Sequence, residues 1–370
     1  MTIGIVGLGA MGLGIAQVFA QAGHEVRATD AMAEARASAR ARMAAALAPR
    51  VAKGAMTLTE QDAILSRLNI VERIEDIAPC DLVIEAVAER LSVKQAVFAT
   101  LEPLLSPQAV LASNTSSLSV TAIAQGRHRP DRVLGLHFFN PAPVMKLVEL
   151  VSHPGSAPDA LDLARRLTEA AGKTVIACPD RPGFIVNRCA RPYYGEALAL
   201  LEEGRSPAEI DAAMVAAGYR LGPFALIDLV GADINLAATE SLAQAMGGHP
   251  RYHVFAALKA QVARGDLGRK SGRGFVHPGD PVQPPADAAA IAARIEATLV
   301  NEAGWLLSEG GVTAEGIDTA MRLGLNFPHG PFDALARLGR DRVLATLAEL
   351  EAAAPPHLQT RYLPAPALRD

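Results

Sequence analysis

His137 and Glu149 are the residues of this chain whose types and spacing best suit proton transfer. The apolar segment 133–136 leads into His137, and a second apolar segment, 146–151, contains Glu149. We predict a strand for each segment, and the short, proline-containing loop between them would let the imidazole and the carboxylate face each other. A carboxylate beside an imidazole fixes its tautomer and stabilises the imidazolium that forms on proton uptake. On the residues alone, a local hydrogen bond of His137 and a surface salt bridge of Glu149 remain alternatives.

A glycine-rich turn at residues 7–12 has the spacing that holds phosphates. Its residues are Gly7, Leu8, Gly9, Ala10, Met11 and Gly12. The turn follows an apolar run at 3–6 and precedes a predicted helix from Gly12 to Ala22. In such a motif the three glycines permit a tight turn, close approach of a pyrophosphate, and packing of helix against strand. The sequence therefore predicts a dinucleotide site, with a plain glycine turn as the alternative.

Asp30 indicates which dinucleotide binds. It follows a second predicted strand, 25–29, and lies 18 residues after Gly12. A carboxylate at this place accepts hydrogen bonds from an adenosine ribose and repels a 2′-phosphate. Because Ala31 and Met32 follow it rather than an arginine, we expect NAD and not NADP.

The elements around these residues predict an α/β fold. Strands alternate with helices up to about residue 179, which is typical of a Rossmann-type, doubly wound parallel sheet. The segments 31–50 and 58–68 form a predicted helical arm. The further predicted strands are 82–86, 110–113, 133–136, 146–151 and 174–177.

Two stretches rich in proline and glycine divide the chain, at 178–183 and 277–285. Almost everything after the first stretch is predicted to be helical. We expect a dinucleotide-binding domain at 1–179, a helical domain at 180–277 and a partial second copy of that helical domain at 287–370.

The evidence for a second copy is a set of three short motifs that recur. The first set is Glu196-Ala197, Ile210-Asp211-Ala212-Ala213-Met214 and Gly222-Pro223-Phe224. The second set is Glu302-Ala303, Ile317-Asp318-Thr319-Ala320-Met321 and Gly330-Pro331-Phe332. The offsets are 106, 107 and 108 residues, and this near-constant spacing indicates a duplicated helical unit.

The composition excludes other classes of protein. The 370 residues include 35 Lys and Arg against 39 Asp and Glu, so the net charge is −4. We expect neither nucleic acid nor a membrane surface as partner, because the sequence has no long run of charges of one sign. No apolar run reaches the ~20 residues of a membrane span. The three cysteines lack the spacing of a disulfide framework or metal site. With the predicted strand 3–6 close to Met1, we expect no signal peptide and a cytoplasmic location.

Several longer motifs resemble those of the 3-hydroxyacyl-CoA dehydrogenases. The run H-F-F-N-P-A-P-V-M-K-L-V-E from His137 to Glu149 resembles the signature of that family. Further stretches match in the family's order: 113–118 (S-N-T-S-S-L), 182–188 (P-G-F-I-V-N-R), 222–224 (G-P-F) followed by Asp228 and Gly231, and 270–275 (K-S-G-R-G-F). The resemblance covers about residues 1–277. It implies reversible, NAD-dependent oxidation of a (S)-3-hydroxyacyl-CoA to a 3-ketoacyl-CoA.

The resemblance also implies roles for single residues. His137 would be the catalytic base and Glu149 its orienting partner, without a metal. Ser116 and Asn187 match the positions that hydrogen-bond the substrate oxygens near the reacting carbon. The implied cofactor contacts are the glycine turn (Gly7, Gly9, Ala10, Met11, Gly12), Asp30, Glu89, Lys94, Ser116, Asn140 and Lys270.

On the helical arm, which contacts coenzyme A in the family, Lys53 and Arg50 are the expected partners of the acyl-CoA phosphates. No motif fixes either residue, and a solvated basic face is the alternative. In relatives with one helical domain, that domain pairs with its copy in a second subunit. We therefore expect a homodimer, or a monomer in which residues 287–370 occupy the partner's place, with a loosely attached appendage as the alternative.

Three other functions remain open. The β-hydroxyacid dehydrogenases share the opening glycine turn, but the glycine-rich substrate motif of that family is absent here. The gulonate or carnitine dehydrogenase branch shares the fold and acts on substrates without coenzyme A. A non-catalytic, NAD-binding structural relative is the third, and intact Ser116, His137, Glu149 and Asn187 argue against it. The motifs leave the acyl chain open between 3-hydroxybutyryl-CoA and 3-hydroxyadipyl-CoA.

Overall fold

The computed structural model describes residues 1–369, and the chain divides into two compact units. The first unit is Met1–Arg181, and the second begins at Pro182. The division falls inside the proline- and glycine-rich stretch 178–183.

The first unit is built on an eight-stranded sheet in the order β3-β2-β1-β4-β5-β6-β7-β8. The strands are β1 Thr2–Val6, β2 Glu25–Thr29, β3 Leu68–Ile70, β4 Leu82–Glu85, β5 Val110–Ser113, β6 Val133–Phe138, β7 Leu147–Ser152 and β8 Thr174–Pro179. Strands β1 to β6 pair in parallel, so their carboxyl ends meet at one edge of the sheet. Every residue of β4, β5 and β6 is buried, as expected of strands covered on both faces. The predicted Rossmann-type sheet is confirmed.

Six α-helices connect these strands. They are α1 Ala10–Gln21, α2 Ala33–Ala52, α3 Leu58–Ser66, α4 Leu91–Leu101, α5 Val120–Ala124 and α6 Pro158–Ala170. Phe19 of α1 and Met43 of α2 are fully buried in one core with Ile5 of β1 and Leu134 of β6. This packing fixes the positions of the loops at the carboxyl edge of the sheet.

The sheet differs from the sequence prediction in the direction of its last two strands. β7 runs antiparallel to β6, and β8 is parallel to β7. Only residues 139–146 connect β6 to β7, whereas a parallel crossover takes a dozen residues or more. β6 and β7 therefore form a hairpin.

Several element boundaries differ from the prediction by one or two residues, among them the end of α3 and the start of α1. Helix α3 ends at Ser66 rather than Leu68, and Leu68 starts β3 by pairing with Val26 of β2. Helix α1 begins at Ala10 rather than Gly12. In both places the pairing of backbone groups overrides the apolar pattern.

The second unit is helical, as predicted. Its α-helices are α7 Val186–Cys189, α8 Arg191–Glu202, α9 Pro207–Ala216, α10 Pro223–Val230, α11 Ala232–Ala245, α12 Ala256–Ala263, α13 Ala288–Ser308, α14 Ala314–Leu325, α15 Pro331–Leu338 and α16 Arg340–Ala353. Helix α9 begins with a capping box in which Ser206 and Glu209 satisfy each other's backbone N–H groups. Within residues 1–369, no helix has the length and apolar content that a bilayer crossing requires.

The same helix-capping arrangement occurs twice in this unit. The carboxylate of Asp211 in α9 accepts hydrogen bonds from the first amides of α10, at 2.9 and 2.7 Å. The carboxylate of Asp318 in α14 does the same for α15, at 2.8 and 3.0 Å. A Cβ atom on Gly222 or on Gly330 would lie within 2.3 Å of the capping carboxylate, so only glycine fits there.

Candidate active site

The turn between β1 and α1 has the shape of a phosphate cradle. Gly7 adopts φ +102°, and a Cβ atom there would lie 2.6 Å from the carbonyl oxygen of Ala86. A Cβ atom on Gly12 would lie 1.9 Å from the carbonyl oxygen of Gly7, so both positions require glycine. A Cβ atom on Gly9 would meet nothing within 4 Å, which leaves open space over the backbone at the N-terminus of α1. That helix has no acidic residue in its first turn, so its N-terminus favours an anion.

Asp30 lies directly after β2 and is tied to this turn. Its carboxylate accepts hydrogen bonds from the amides of Leu8, at 2.6 Å, and Met32, at 2.8 Å. Arg36, which the sequence motifs do not single out, donates from its guanidinium to the carbonyl oxygen of Asp30, at 2.6 Å. The open backbone at residue 9 and the carboxylate at residue 30 together fit NAD, which residues 7–12 and Asp30 would hold.

Glu89 organises the loop that follows β5. One of its carboxylate oxygens accepts hydrogen bonds from the hydroxyl of Thr115, at 2.6 Å, and from the amides of Ser116, at 2.9 Å, and Ser117, at 3.2 Å. Burial opposes ionisation of Glu89, but the charge of Lys94 and these hydrogen bonds outweigh it and lower the pKa. The structure thus brings together Glu89 and Ser116, two of the predicted site residues.

Lys94 is buried beside two carboxylates. Its side chain is 1% exposed, and its Nζ lies 2.9 Å from a carboxylate oxygen of Glu85 and 3.1 Å from one of Glu89. A buried ammonium requires such carboxylate partners. These contacts make Lys94 a support for Glu89, and its contact with the cofactor stays a prediction. Glu85, which no motif revealed, also accepts a hydrogen bond from the hydroxyl of Ser113.

His137 and Glu149 lie directly opposite each other in the β6–β7 hairpin. The Nδ1 atom of His137 is 2.7 Å from a carboxylate oxygen of Glu149, and the two side chains are 8% and 0% exposed. The predicted juxtaposition of these groups is confirmed. When Nδ1 carries the proton shared with Glu149, Nε2 is the nitrogen that can take up another.

Two side chains, those of Asn114 and Lys173, hold the end of β6 and the 139–146 loop that follows it. Asn114 accepts a hydrogen bond from the amide of Phe138, at 2.8 Å. Lys173 donates from Nζ to the carbonyl oxygens of Ala142 and Met145, and burial, with a smaller contribution from the charge of Lys146, lowers its pKa to about 8. Neither contact was predicted, because neither residue belongs to a motif that defines its partner. Asn140, a predicted cofactor contact, is exposed at the start of this loop.

The remaining predicted site residues lie elsewhere. Lys53 and Arg50 are exposed at the C-terminal end of α2. Asn187 lies on α7 in the second unit, where its carbonyl oxygen accepts a hydrogen bond from Arg191 at 3.0 Å. Lys270, also in the second unit, forms an ion pair with Asp233 at 2.5 Å. Among residues 1–369, no three His, Cys, Asp or Glu side chains form a group that could hold a metal ion.

Models of known protein families identify the family of this chain. The NAD-binding domain of 3-hydroxyacyl-CoA dehydrogenase matches residues 2–181, and the C-terminal domain of that family matches residues 183–277 and 291–370. The chain belongs to the 3-hydroxyacyl-CoA dehydrogenase family. The predicted family, the fold class and NAD as the cofactor are thereby confirmed.

Individual relatives agree with this family. The chain is 46% identical over 275 residues to the 3-hydroxyadipyl-CoA dehydrogenase of Escherichia coli. These aligned residues cover 74% of this chain and 58% of that protein. It is 41% identical over 274 residues to a probable 3-hydroxybutyryl-CoA dehydrogenase of Bacillus subtilis. Here the aligned residues cover 73% of this chain and 95% of that protein. A crystal structure of 3-hydroxybutyryl-CoA dehydrogenase from Escherichia coli matches with a TM-score of 0.94 and 35% identity, covering 100% of this chain and 97% of that one.

Proposed function

We propose that this 3-hydroxyacyl-CoA dehydrogenase oxidises a short-chain (S)-3-hydroxyacyl-CoA to the 3-ketoacyl-CoA, reversibly, with His137 as the catalytic base. The observation that carries the proposal is the buried pair of His137 and Glu149, 2.7 Å apart at the carboxyl end of β6. The glycine turn and Asp30 lie at the carboxyl ends of β1 and β2 in the same parallel set. In sheets of this kind, ligands bind outside that edge.

His137 removes the proton from the 3-hydroxyl group through Nε2. Glu149 holds the ring and balances the positive charge that the imidazolium gains. Bound NAD supplies the hydride acceptor for C3 of the substrate. In the reverse direction, the protonated ring of His137 returns its proton to the oxygen at C3.

Ser116 and Asn187 orient the substrate oxygens in this proposal. The lowered pKa of Glu89 keeps that carboxylate ionised, so its hydrogen bonds fix the backbone of Ser116 and Ser117. Positioning of this kind is a large part of what an enzyme contributes to hydride transfer. Asn140 and Lys270 are proposed as cofactor contacts, and Lys53 with Arg50 as partners of the coenzyme A phosphates.

The substrate proposal takes its chain length from the named relatives, which act on 3-hydroxybutyryl-CoA and 3-hydroxyadipyl-CoA. We also propose a cytoplasmic location and a chain in which residues 287–370 replace a second subunit. Support for the latter comes from the capping arrangement that α9 and α10 share with α14 and α15.

Turnover of acetoacetyl-CoA with NADH, followed by the loss of NADH absorbance, tests the proposed function. We expect oxidation of NADH with acetoacetyl-CoA and with other 3-ketoacyl-CoA substrates between four and sixteen carbons, strongest at short chain lengths. Activity on gulonate or carnitine without activity on acyl-CoA would place the chain in the coenzyme A-independent branch. Binding of NADH with no turnover of any of these substrates would indicate a structural relative.

A further inference from the structure

Arg188, the residue after Asn187, is fully buried and held by two carboxylates from the C-terminal half of the second unit. Its Nε lies 2.7 Å from a carboxylate oxygen of Glu302, and its two terminal nitrogens lie 2.8 and 2.6 Å from the oxygens of Glu309. Arg188 and Glu302 are 0% and 2% exposed. A guanidinium in such a place depends on its carboxylates, since an unpaired buried charge is strongly unfavourable.

An equivalent network occurs with the N- and C-terminal halves of the second unit exchanged. Arg294 lies 2.7 Å through Nε from Glu196, and its terminal nitrogens lie 2.6 Å from both oxygens of Glu203. Each of these residues has its counterpart 106 positions away in the chain (188 and 294, 196 and 302, 203 and 309). An interface in which each side gives and receives the same contact has twofold character.

The outer contacts of the two networks are reciprocal as well. Glu302 also receives the hydroxyl of Tyr252 and the guanidinium of Arg251 at 3.1 Å. Glu196 receives the hydroxyl of Tyr362 at 3.2 Å and lies 3.5 Å from the guanidinium of Arg361. The two networks therefore match closely in chemistry, although Arg294 is 17% exposed and Arg188 is 0% exposed.

They also differ in the residue that precedes the arginine. Asn187 precedes Arg188, whereas Ala293 precedes Arg294. Asn187 and Arg188 lie on α7, which has only four residues, while Arg294 lies within the 21 residues of α13. A single helical turn is too short to be stable by itself, so its orientation depends on the side chains that anchor it.

We propose that Glu302 and Glu309 are positioning residues for Asn187: by fixing Arg188 they orient the one-turn helix that carries the substrate-binding amide. The inference rests on the proposed role of Asn187 in binding the substrate. It gives the C-terminal half of the second unit a part in catalysis, although that half has no asparagine that matches Asn187.

The exchanged network supplies a matched control for the test. In the full-length protein, the double variant Glu302→Gln/Glu309→Gln is compared with Glu196→Gln/Glu203→Gln, which removes the same two charges beside Ala293. We expect kcat/KM for acetoacetyl-CoA to fall about tenfold or more in the first variant relative to the second, because small displacements of a positioning group are costly. The KM for NADH should stay within about twofold of the wild-type value in both. Equal losses of kcat/KM in the two variants would overturn the proposal.

Asn187→Ala separates this inference from the proposed function. We expect Asn187→Ala to lower kcat/KM for acetoacetyl-CoA, and the Glu302→Gln/Glu309→Gln pair to add little further loss in that background, because both changes act through one group. Wild-type activity of Asn187→Ala would remove the proposed role of Asn187 and the inference with it. An impaired Asn187→Ala, together with full additivity, would overturn the inference alone.

A milder pair keeps the test decisive if the double variant does not fold. Glu309 and Glu203 are 36% and 54% exposed, so single glutamine substitutions there leave the deeper carboxylate in place. Glu309→Gln should lower kcat/KM by more than Glu203→Gln does at a temperature where circular dichroism shows both fully folded. Equal values for the two single variants would contradict the proposal.

Discussion

The imidazole of His137 and the carboxylate of Glu149 differ from a surface ion pair in their burial. Glu149 is wholly enclosed in the β6–β7 hairpin and His137 nearly so, and the strand register sets them side by side. A buried carboxylate in this position both orients the ring and balances its positive charge. In the proposed reaction, both effects assist the transfer of the proton from the 3-hydroxyl group to the imidazole.

The variant Glu149→Gln distinguishes the effect of ring orientation at His137 from the effect of the negative charge of Glu149. The amide keeps a hydrogen-bonding oxygen beside Nδ1 but removes the negative charge, so we expect a smaller loss of kcat than a change of His137 causes, and a steeper dependence of the rate on pH. Rates measured with acetoacetyl-CoA and NADH from pH 6 to 9 provide the check. An unchanged rate and profile would show that the charge of Glu149 takes no part.

Asp30 yields a prediction about cofactor choice. Its carboxylate is bound to the amides of Leu8 and Met32, so it is fixed at the end of β2, and a 2′-phosphate placed there would be repelled. Arg36 contacts the carbonyl oxygen of Asp30. We expect a strong preference for NADH over NADPH in kcat/KM with acetoacetyl-CoA as the substrate. Equal values for the two cofactors would contradict this account of Asp30.

Single residues were predictable from sequence where a long motif fixed their neighbours. The run from His137 to Glu149 includes both partners and the loop between them, so their juxtaposition followed from it. Lys94 also matched a family position. Its ion pairs with Glu85 and Glu89 depend on the packing of α4 against the sheet, which the motif does not describe. Lys173 belongs to no motif, and its carbonyl partners become neighbours only after the chain folds.

At the scale of elements, apolar runs predicted the strands well because β4, β5 and β6 are covered on both faces. Direction and short edge strands were harder to predict. The three-residue β3 is defined by its pairing with β2, and no sequence pattern distinguishes it from the end of α3. The hairpin of β6 and β7 follows from the length of its loop, which an apolar pattern does not report.

The capped helices α10 and α15 give a prediction on stability. We expect Asp211→Asn and Asp318→Asn each to lower the free energy of unfolding at pH 4 by about 1 kcal/mol, because each oxygen of the capping group accepts one amide and the NH2 group of asparagine cannot accept. Urea unfolding measures both. Asp62→Asn, at an exposed site on α3, is the control and should have little effect. Losses no larger than that of the control would contradict a capping role.

Asp211 also makes stability depend on pH. Burial raises its pKa from 3.8 to about 7, so the folded protein holds a proton between pH 4 and 7 that the unfolded chain releases. The stabilisation from Asp211 is therefore complete below pH 4 and is lost as the pH rises through 7. The difference in Tm between the wild-type protein and Asp211→Asn should shrink between pH 4 and 7. A difference that grows over this range would contradict the buried state of the carboxyl.

At the scale of the whole molecule, the two reciprocal ion-pair networks give the residues beyond 278 a structural role in the helical unit. Arg188 and Arg294 are each satisfied by the other half of the unit. Helix α13 packs against both α8 and α9. The recurring motifs predict a second copy, but the pairing of Glu302 and Glu309 with Arg188 could not be predicted from one sequence.

Removal of the residues after Pro278 tests this role. The truncated chain would leave Arg188 without Glu302 and Glu309 and would uncover the apolar surface of α8 and α9, so we expect aggregation or a new dimer in which Glu196 and Glu203 of a second copy take their places. Light scattering on a sizing column gives the mass. A soluble monomer with unchanged activity and Tm would show that the C-terminal segment is a dispensable appendage.

The rate of NADH oxidation by His137→Gln with acetoacetyl-CoA tests the central claim most directly. A positioned base contributes about 10²–10⁴-fold, so we expect kcat to fall by about that factor while the quenching or enhancement of NADH fluorescence shows unchanged cofactor binding. The side chain of glutamine occupies similar space and takes up no proton, which limits the change to the chemistry. Near-normal turnover in this variant would contradict the account.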